Sequence, residues 1–161
     1  MNFDQPSNIE QPGKNREKLL ALEKEGKYVF HGSPEQIEIL EPRQAEGKNE
    51  VTGEMERDGA PAVFATQYAD MAIFRALVNA KGVFEDSESS FGIDDDGLHF
   101  SATRNLLEAA KRKTGKVYVL DRSKFDQLEA MQCRSHGSVA PLQAVEVTYD
   151  DLPKNIRIIE S

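Results

Sequence analysis

The sequence predicts an α+β domain, mainly antiparallel sheet with helices inserted between strands. Three observations carry that reading. Short apolar runs with period-two alternation recur along the chain and crowd its last third. Stretches with helical spacing lie between them, at residues 15–26, 68–80 and again after Thr103. The two kinds of element alternate too irregularly for a doubly wound parallel sheet.

A chain of 161 residues fits one domain, large enough to bury a core without disulfides or structural metal. Residues 1–14 hold Pro6, Pro12, Gly13 and several Asn and Gln, too little apolar surface to offset ordering, and read as a flexible tail before a single domain at 15–161. The formal charge of −8 argues against general nucleic-acid binding by phosphate neutralisation, although a local basic cleft is compatible with it. One cysteine, Cys133, excludes an intrachain disulfide, and the N-terminus carries no basic-then-apolar leader, so a cytoplasmic location is expected. No apolar run approaches the roughly 20 residues a spanning helix needs, so no membrane association is expected.

The elements follow in order. Leu19, Leu20 and Leu22 among Lys and Glu give the first helix, stopped by Gly26. Residues 28–33 form the first strand, Ile37, Ile39 and Leu40 suggest a short second one, and residues 44–60 read as a functional loop. The strand at 62–65 runs into Thr66, a plausible N-cap for an amphipathic helix carrying Met71, Ala72, Phe74, Ala76, Leu77 and Val78. Residues 91–100 read as a hairpin with Asp96-Gly97 supplying its positive φ angles. Ser101 or Thr103 caps a helix that ends near Thr114-Gly115. Strands are expected at 117–120, 130–134 and 142–149, with Ile156, Ile158 and Ile159 adding a terminal one.

Two strand ends carry the candidate chemistry: Tyr28-Val29-Phe30-His31-Gly32-Ser33 and Ala62-Val63-Phe64-Ala65-Thr66. His31 supplies an imidazole. Gly32 presents a peptide with no side chain in front of it, able to clamp a planar amide, and a residue in that role is expected to tolerate a side chain without loss of stability. Other chemistries fit poorly. The Asp94-Asp95-Asp96-Gly97 cluster fails as a calcium loop, because Gly92 and Thr103 fall where its first and twelfth ligands should be. His31, His99 and His136 match no local zinc spacing. Cys133 beside Arg134 has the surroundings of an activated thiol, against the commoner outcome of a buried strand cysteine. A phosphate-binding glycine loop, a nucleophile elbow and a dinucleotide fingerprint are all missing.

The ordered set Phe30-His31-Gly32-Ser33, Val63-Phe64-Ala65-Thr66 with Ala72, residues 115–120, and Arg134-Ser135 with Val139-Ala140-Pro141-Leu142 resembles the ADP-ribosyltransferase superfamily. The likeness is to the poly(ADP-ribose) polymerase type and the small rifampin-modifying enzymes, and it covers most of residues 28–149. It implies a split antiparallel sheet and NAD as substrate. In that family the His contacts the adenine-side ribose and the Gly backbone grips the nicotinamide carboxamide, roles that map onto His31 and Gly32 with Ser33 beside them. Phe64 falls where the family has a stacking tyrosine and keeps the ring face while losing the hydroxyl. Gln132 falls where the family has a catalytic glutamate; it can bond a ribose hydroxyl without supplying negative charge. Arg43 is a candidate partner for the NAD phosphates. Gln44, Glu46 and Glu129 are candidate sources of a displaced polar or acidic group.

The resemblance implies transfer of ADP-ribose to a protein, nucleic acid or small molecule, with His31, Phe64 and Gln132 as the catalytic set. Two alternatives accompany it. One is a weakly active or inactive relative serving as a nucleotide- or protein-binding module, with residues 1–26 as partner contact. The other is an NAD-dependent RNA 2′-phosphotransferase, which needs several arginines around the crevice; Arg43, Arg75 and Arg134 are those available.

Overall fold

A computed structural model of the chain describes residues 13–43, 61–79, 86–128 and 131–160, together with the short strands at 46–48 and 55–57; residues 46–48, 55–57, 127 and 128 are described by backbone only. Mixed α+β architecture with mainly antiparallel sheets is observed. The central sheet is built from β1 (Tyr28–Ser33), β7 (Thr114–Asp121) and β10 (Gln143–Thr148), in the order β1-β7-β10, all antiparallel. A second sheet holds β4 (Val63–Ala65), β9 (Cys133–Ser135) and β8 (Gln127–Leu128), in the order β4-β9-β8. The third joins β5 (Ser89–Asp94) and β6 (Gly97–Thr103) as a hairpin, with β11 (Ile156–Ile159) added parallel to β6.

Each face of the central sheet carries its own core, as strand alternation requires. On one face Phe30, Val117, Val119, Val145 and Val147 pack against helices α1 (Lys14–Glu25) and α2 (Ala69–Leu77). On the other, Val29, Tyr118 and Leu120 meet Val63, Ala65 and Cys133 of the second sheet. Helix α2 is therefore central: it carries the expected apolar residues, and every residue in it except Arg75 is buried, Asp70 included. It seats directly on the sheet because Gly32 and Gly115 lie beneath Ala72 and Ala76. A Cβ on Gly32 would stand 1.8 Å from the Ala72 carbonyl oxygen, and one on Gly115 would stand 2.8 Å from Ala76. Gly32 is thus a packing residue, and the expectation that it tolerates a side chain is overturned.

Helix α1 is also part of the domain and not a free extension. Leu19 is fully buried, and Arg16 donates Nε and an Nη to the two carboxylate oxygens of Asp70 at 2.7 and 2.9 Å. Glu23 accepts the Ala69 amide at 2.6 Å, so a carboxylate from α1 caps the first residue of α2. Thr66 was the expected cap; its backbone pairs with Phe30 instead, its hydroxyl accepts the Tyr68 amide at 3.2 Å, and Tyr68 stands at the N-cap.

Several boundaries move for local reasons. Helix α1 begins at Lys14, one residue inside the expected tail, and the rest of that tail, residues 1–12, lies outside the described residues. The strand expected near Ile37 to Leu40 reduces to one bridge between Leu40 and Val139. Within the expected loop at 44–60, β2 (Glu46–Lys48) pairs with β3 (Met55–Arg57). The β5–β6 turn is made by Asp95 and Asp96, tightened by the Asp96 amide donating to Asp94 Oδ1, and Gly97 takes a positive φ, 108°. Helix α3 (Arg104–Ala110) starts after Thr103 as expected and stops before Thr114, which opens β7.

Candidate functional site

The central and second sheets meet through a single antiparallel bridge. Phe30 and Thr66 exchange both backbone bonds, at 2.7 and 2.8 Å. An uninterrupted ladder would next pair Gly32 with Phe64, two residues on along each strand. It does not form. His31 Nδ1 instead lies 2.7 Å from the Phe64 carbonyl oxygen, taking the acceptor that Gly32 would have used. Farther along the same edge of β4 the ladder resumes, where Arg43 and Ala62 exchange both bonds at 2.9 Å. The imidazole therefore holds the two sheets apart at one step. By strand alternation the N–H and C=O of Gly32 point the same way as those of Phe30, away from β7 and into the opening.

That opening is a pocket of about 400 Å³. Its rim and floor come from Phe30, His31 and Gly32 of β1, from Phe64 through Thr66, and from Met71, Ala72 and Arg75 of α2. Phe91 and the Met131–Gln132 segment close the far side. Chain segments remote in sequence thus bring together four predicted residues: His31, Gly32, Phe64 and Gln132. A smaller space of about 170 Å³ adjoins it across His31 and Phe64, lined also by Ser33, Glu35, Ile37 and Arg43. Ser33 and Arg43 belong to this neighbouring space and not to the main pocket. Ser33 is buried, and its hydroxyl accepts the Glu35 amide at 3.1 Å, which turns the chain after β1. Tyr118 Oη fixes the same turn by accepting from the Ile37 amide and donating to the Glu35 carbonyl, both at 2.7 Å.

The protonation state of His31 follows from its surroundings. Burial lowers its pKa below 6.5, the bond to the Phe64 carbonyl opposes that, and the positive charges of Arg75 and Arg43 lower it further. A carbonyl only accepts, so Nδ1 carries the hydrogen of the neutral ring and Nε2 is left as an acceptor. Phe64 is half-buried, and the Arg134 guanidinium carbon stands 5.2 Å from its ring centroid. Gln132 Oε1 accepts from an Arg134 Nη at 3.5 Å. Arg134 Nε is buried with no acceptor among the described residues. None of the described residues lining the main pocket is a carboxylate. Gln44 and Glu129 lie outside the described residues, and of Glu46 only the backbone, on β2, is described.

Sequence reasoning placed Arg75 and Arg134 near the crevice only for the phosphotransferase alternative, and it missed Met131 and Phe91 as pocket walls. Burial in the second core raises the Cys133 thiol to about 11, which removes the activated-nucleophile reading. Among the described residues no cluster of three or more His, Cys, Asp or Glu is placed to hold a metal, and no helix is long and apolar enough to cross a membrane. Comparison with protein-family models, with curated proteins and with solved structures gave no match.

Proposed function

We propose that this chain is an ADP-ribosyltransferase-like protein that binds NAD in the crevice between β1 and β4. The observation that carries the reading is the interrupted ladder, which leaves the Gly32 peptide facing a pocket beside a neutral imidazole. A carboxamide needs one donor and one acceptor in fixed geometry, and the Gly32 N–H and C=O supply both. His31 Nε2 accepts from a ribose hydroxyl, Phe64 stacks on the nicotinamide ring, and Gln132 bonds the nicotinamide ribose. Arg43, in the adjoining space, takes the phosphates. Chemistry at C1′ then proceeds as nicotinamide departs, by positioning and by stabilisation of the cationic sugar, and transfers ADP-ribose to an acceptor protein, nucleic acid or small molecule.

The carboxylate-free lining favours a second reading, a relative that holds the nucleotide and turns it over slowly or not at all. The three arginines around the crevice also suit an NAD-dependent RNA 2′-phosphotransferase. One experiment separates these. Titration with NAD and with nicotinamide, read at the Gly32 amide by NMR, tests binding; mass spectrometry then tests for released nicotinamide, transferred ADP-ribose, or loss of phosphate from a 2′-phosphorylated RNA. A Gly32 amide unmoved by saturating NAD overturns the NAD reading altogether.

A further inference from the structure

We infer that the crevice selects a neutral carboxamide-bearing ring over a positively charged one, with Arg134 and Arg75 as the residues that set this preference. The inference rests on the NAD reading of the same site and specifies which state of the nicotinamide ring it holds best. A π face attracts cations through its quadrupole, and at Phe64 that attraction is already engaged by Arg134, 5.2 Å from the ring centroid. Arg134 has no ion-pair partner among the described residues, its Nε has no acceptor, and its one side-chain bond goes to the neutral Gln132. Arg75, on the pocket wall, also lacks an ion-pair partner among the described residues and stands 5.9 Å from the Phe91 ring centroid. Two of the three phenylalanines that line the pocket, Phe64 and Phe91, therefore each have a guanidinium beside the ring, and the described lining offers no carboxylate in compensation. This sits in a chain of formal charge −8, so the local sign is opposite to the global one.

A pyridinium entering this pocket meets Arg75 on its wall and Arg134 beside Phe64, neither of them ion-paired among the described residues, whereas the uncharged ring meets the same walls without that repulsion. The free nicotinamide left by glycosidic cleavage is uncharged, as is the dihydronicotinamide of the reduced dinucleotide. The site thus retains the neutral ring more strongly than the cationic ring of NAD, and the phosphates must supply most of the affinity for the intact dinucleotide.

The test uses two fragments of one shape, 3-methylbenzamide and N1-methylnicotinamide, the second carrying the positive charge, titrated against the full chain by NMR. The neutral fragment should bind about tenfold more tightly or better, a difference of ~1.4 kcal/mol. Arg75→Met, at an exposed position, should narrow the ratio to about threefold, and Arg134→Met should narrow it further. Nicotinamide against NADH then separates the free ring from the reduced dinucleotide as the better occupant. Equal affinity for the two fragments overturns the selectivity and leaves the NAD reading intact. Failure of every carboxamide, with NAD also silent, overturns both. A ratio unchanged in folded Arg75→Met and Arg134→Met overturns the assignment to those arginines.

Discussion

His31 Nδ1 lies 2.7 Å from the carbonyl oxygen of Phe64, in the place a continued ladder would give to the amide of Gly32. The imidazole both opens the crevice and keeps its own Nε2 free to accept. His31→Ala should let Gly32 pair with Phe64, slowing hydrogen exchange at the Gly32 amide while ligand binding is lost. The lost side-chain bond costs about 1 kcal/mol, partly returned by the new backbone pair. Fast exchange at Gly32 in both proteins would show that something other than His31 parts the strands.

The same residue sets a pH response. Burial holds its folded pKa below the ordinary 6.5. Above 6.5 the ring is neutral in both folded and unfolded chains and adds no slope. As pH falls below 6.5 the unfolded chain takes a proton that the folded one resists, so stability declines down to the folded pKa. Denaturant unfolding at several pH values should show this decline in the parent and a shallower one in His31→Asn. Ligand affinity should stay level above pH 6.5, because neutral Nε2 is the required acceptor.

Gly32 has two constraints at once, a peptide facing the pocket and a Cα pressed against helix α2. A Cβ there would stand 1.8 Å from the Ala72 carbonyl oxygen, and α2 is pinned from behind by α1. Gly32→Ala should therefore cost about 3 kcal/mol, at the upper end for overpacking, and lower Tm by roughly 10 °C. Thermal unfolding checks it. A variant that melts with the parent would mean that α2 rides freely on the sheet.

The Arg16–Asp70 pair tests that pin. Its side chains are only 28% and 11% exposed, and both bonds are under 3 Å. Arg16→Ala leaves Asp70 desolvated without its cation and should cost about 2 kcal/mol, as charged hydrogen bonds typically do. Arg16→Lys should recover only part of it, since one ammonium cannot make both bonds in the same fork. Equal stability of all three proteins in denaturant unfolding would assign the docking of α1 to its buried and partly buried leucines and the Glu23 cap.

Local pattern was enough to locate β1, α1 and the β5–β6 hairpin, because each has its own periodicity and its own stop signal. The crevice was legible in part: His31, Gly32, Phe64 and Gln132 were singled out in sequence and do line one pocket. What could not be read was long-range. The cap on α2 comes from Glu23, 46 residues away, so Thr66 looked like the cap only because nothing local revealed the carboxylate. The apolar positions of helix α2 are legible in its sequence, but the burial of Asp70 is not, because it depends on Arg16 of α1. The packing role of Gly32 depends on Ala72 and Ala76, whose small side chains carry no signal of a close approach until the strand beneath them is known. The parallel placement of β11 beside β6 is likewise a topological fact with no local sequence mark.

Gln132 offers the sharpest test of catalysis. It lines the pocket and shares Arg134 at 3.5 Å, so a glutamate in its place would stand beside a guanidinium and remain ionised at neutral pH. On the proposed NAD reading the ground-state contacts are in place in the parent, while negative charge near the developing sugar cation is missing from the described lining; the parent should then bind NAD and cleave it slowly. Gln132→Glu should raise NAD hydrolysis or transfer at least tenfold. Restoring one oriented charge-stabilising group in a water-poor site is worth up to about 2.7–4 kcal/mol, and pairing with Arg134 will consume part of that. The same substitution should tighten binding of the cationic fragment relative to the neutral one, which links catalysis to the charge of the pocket. Nicotinamide release measured by mass spectrometry decides it. If the parent is already as fast as the variant, the working carboxylate lies elsewhere, and loss of activity in Glu129→Gln would identify it.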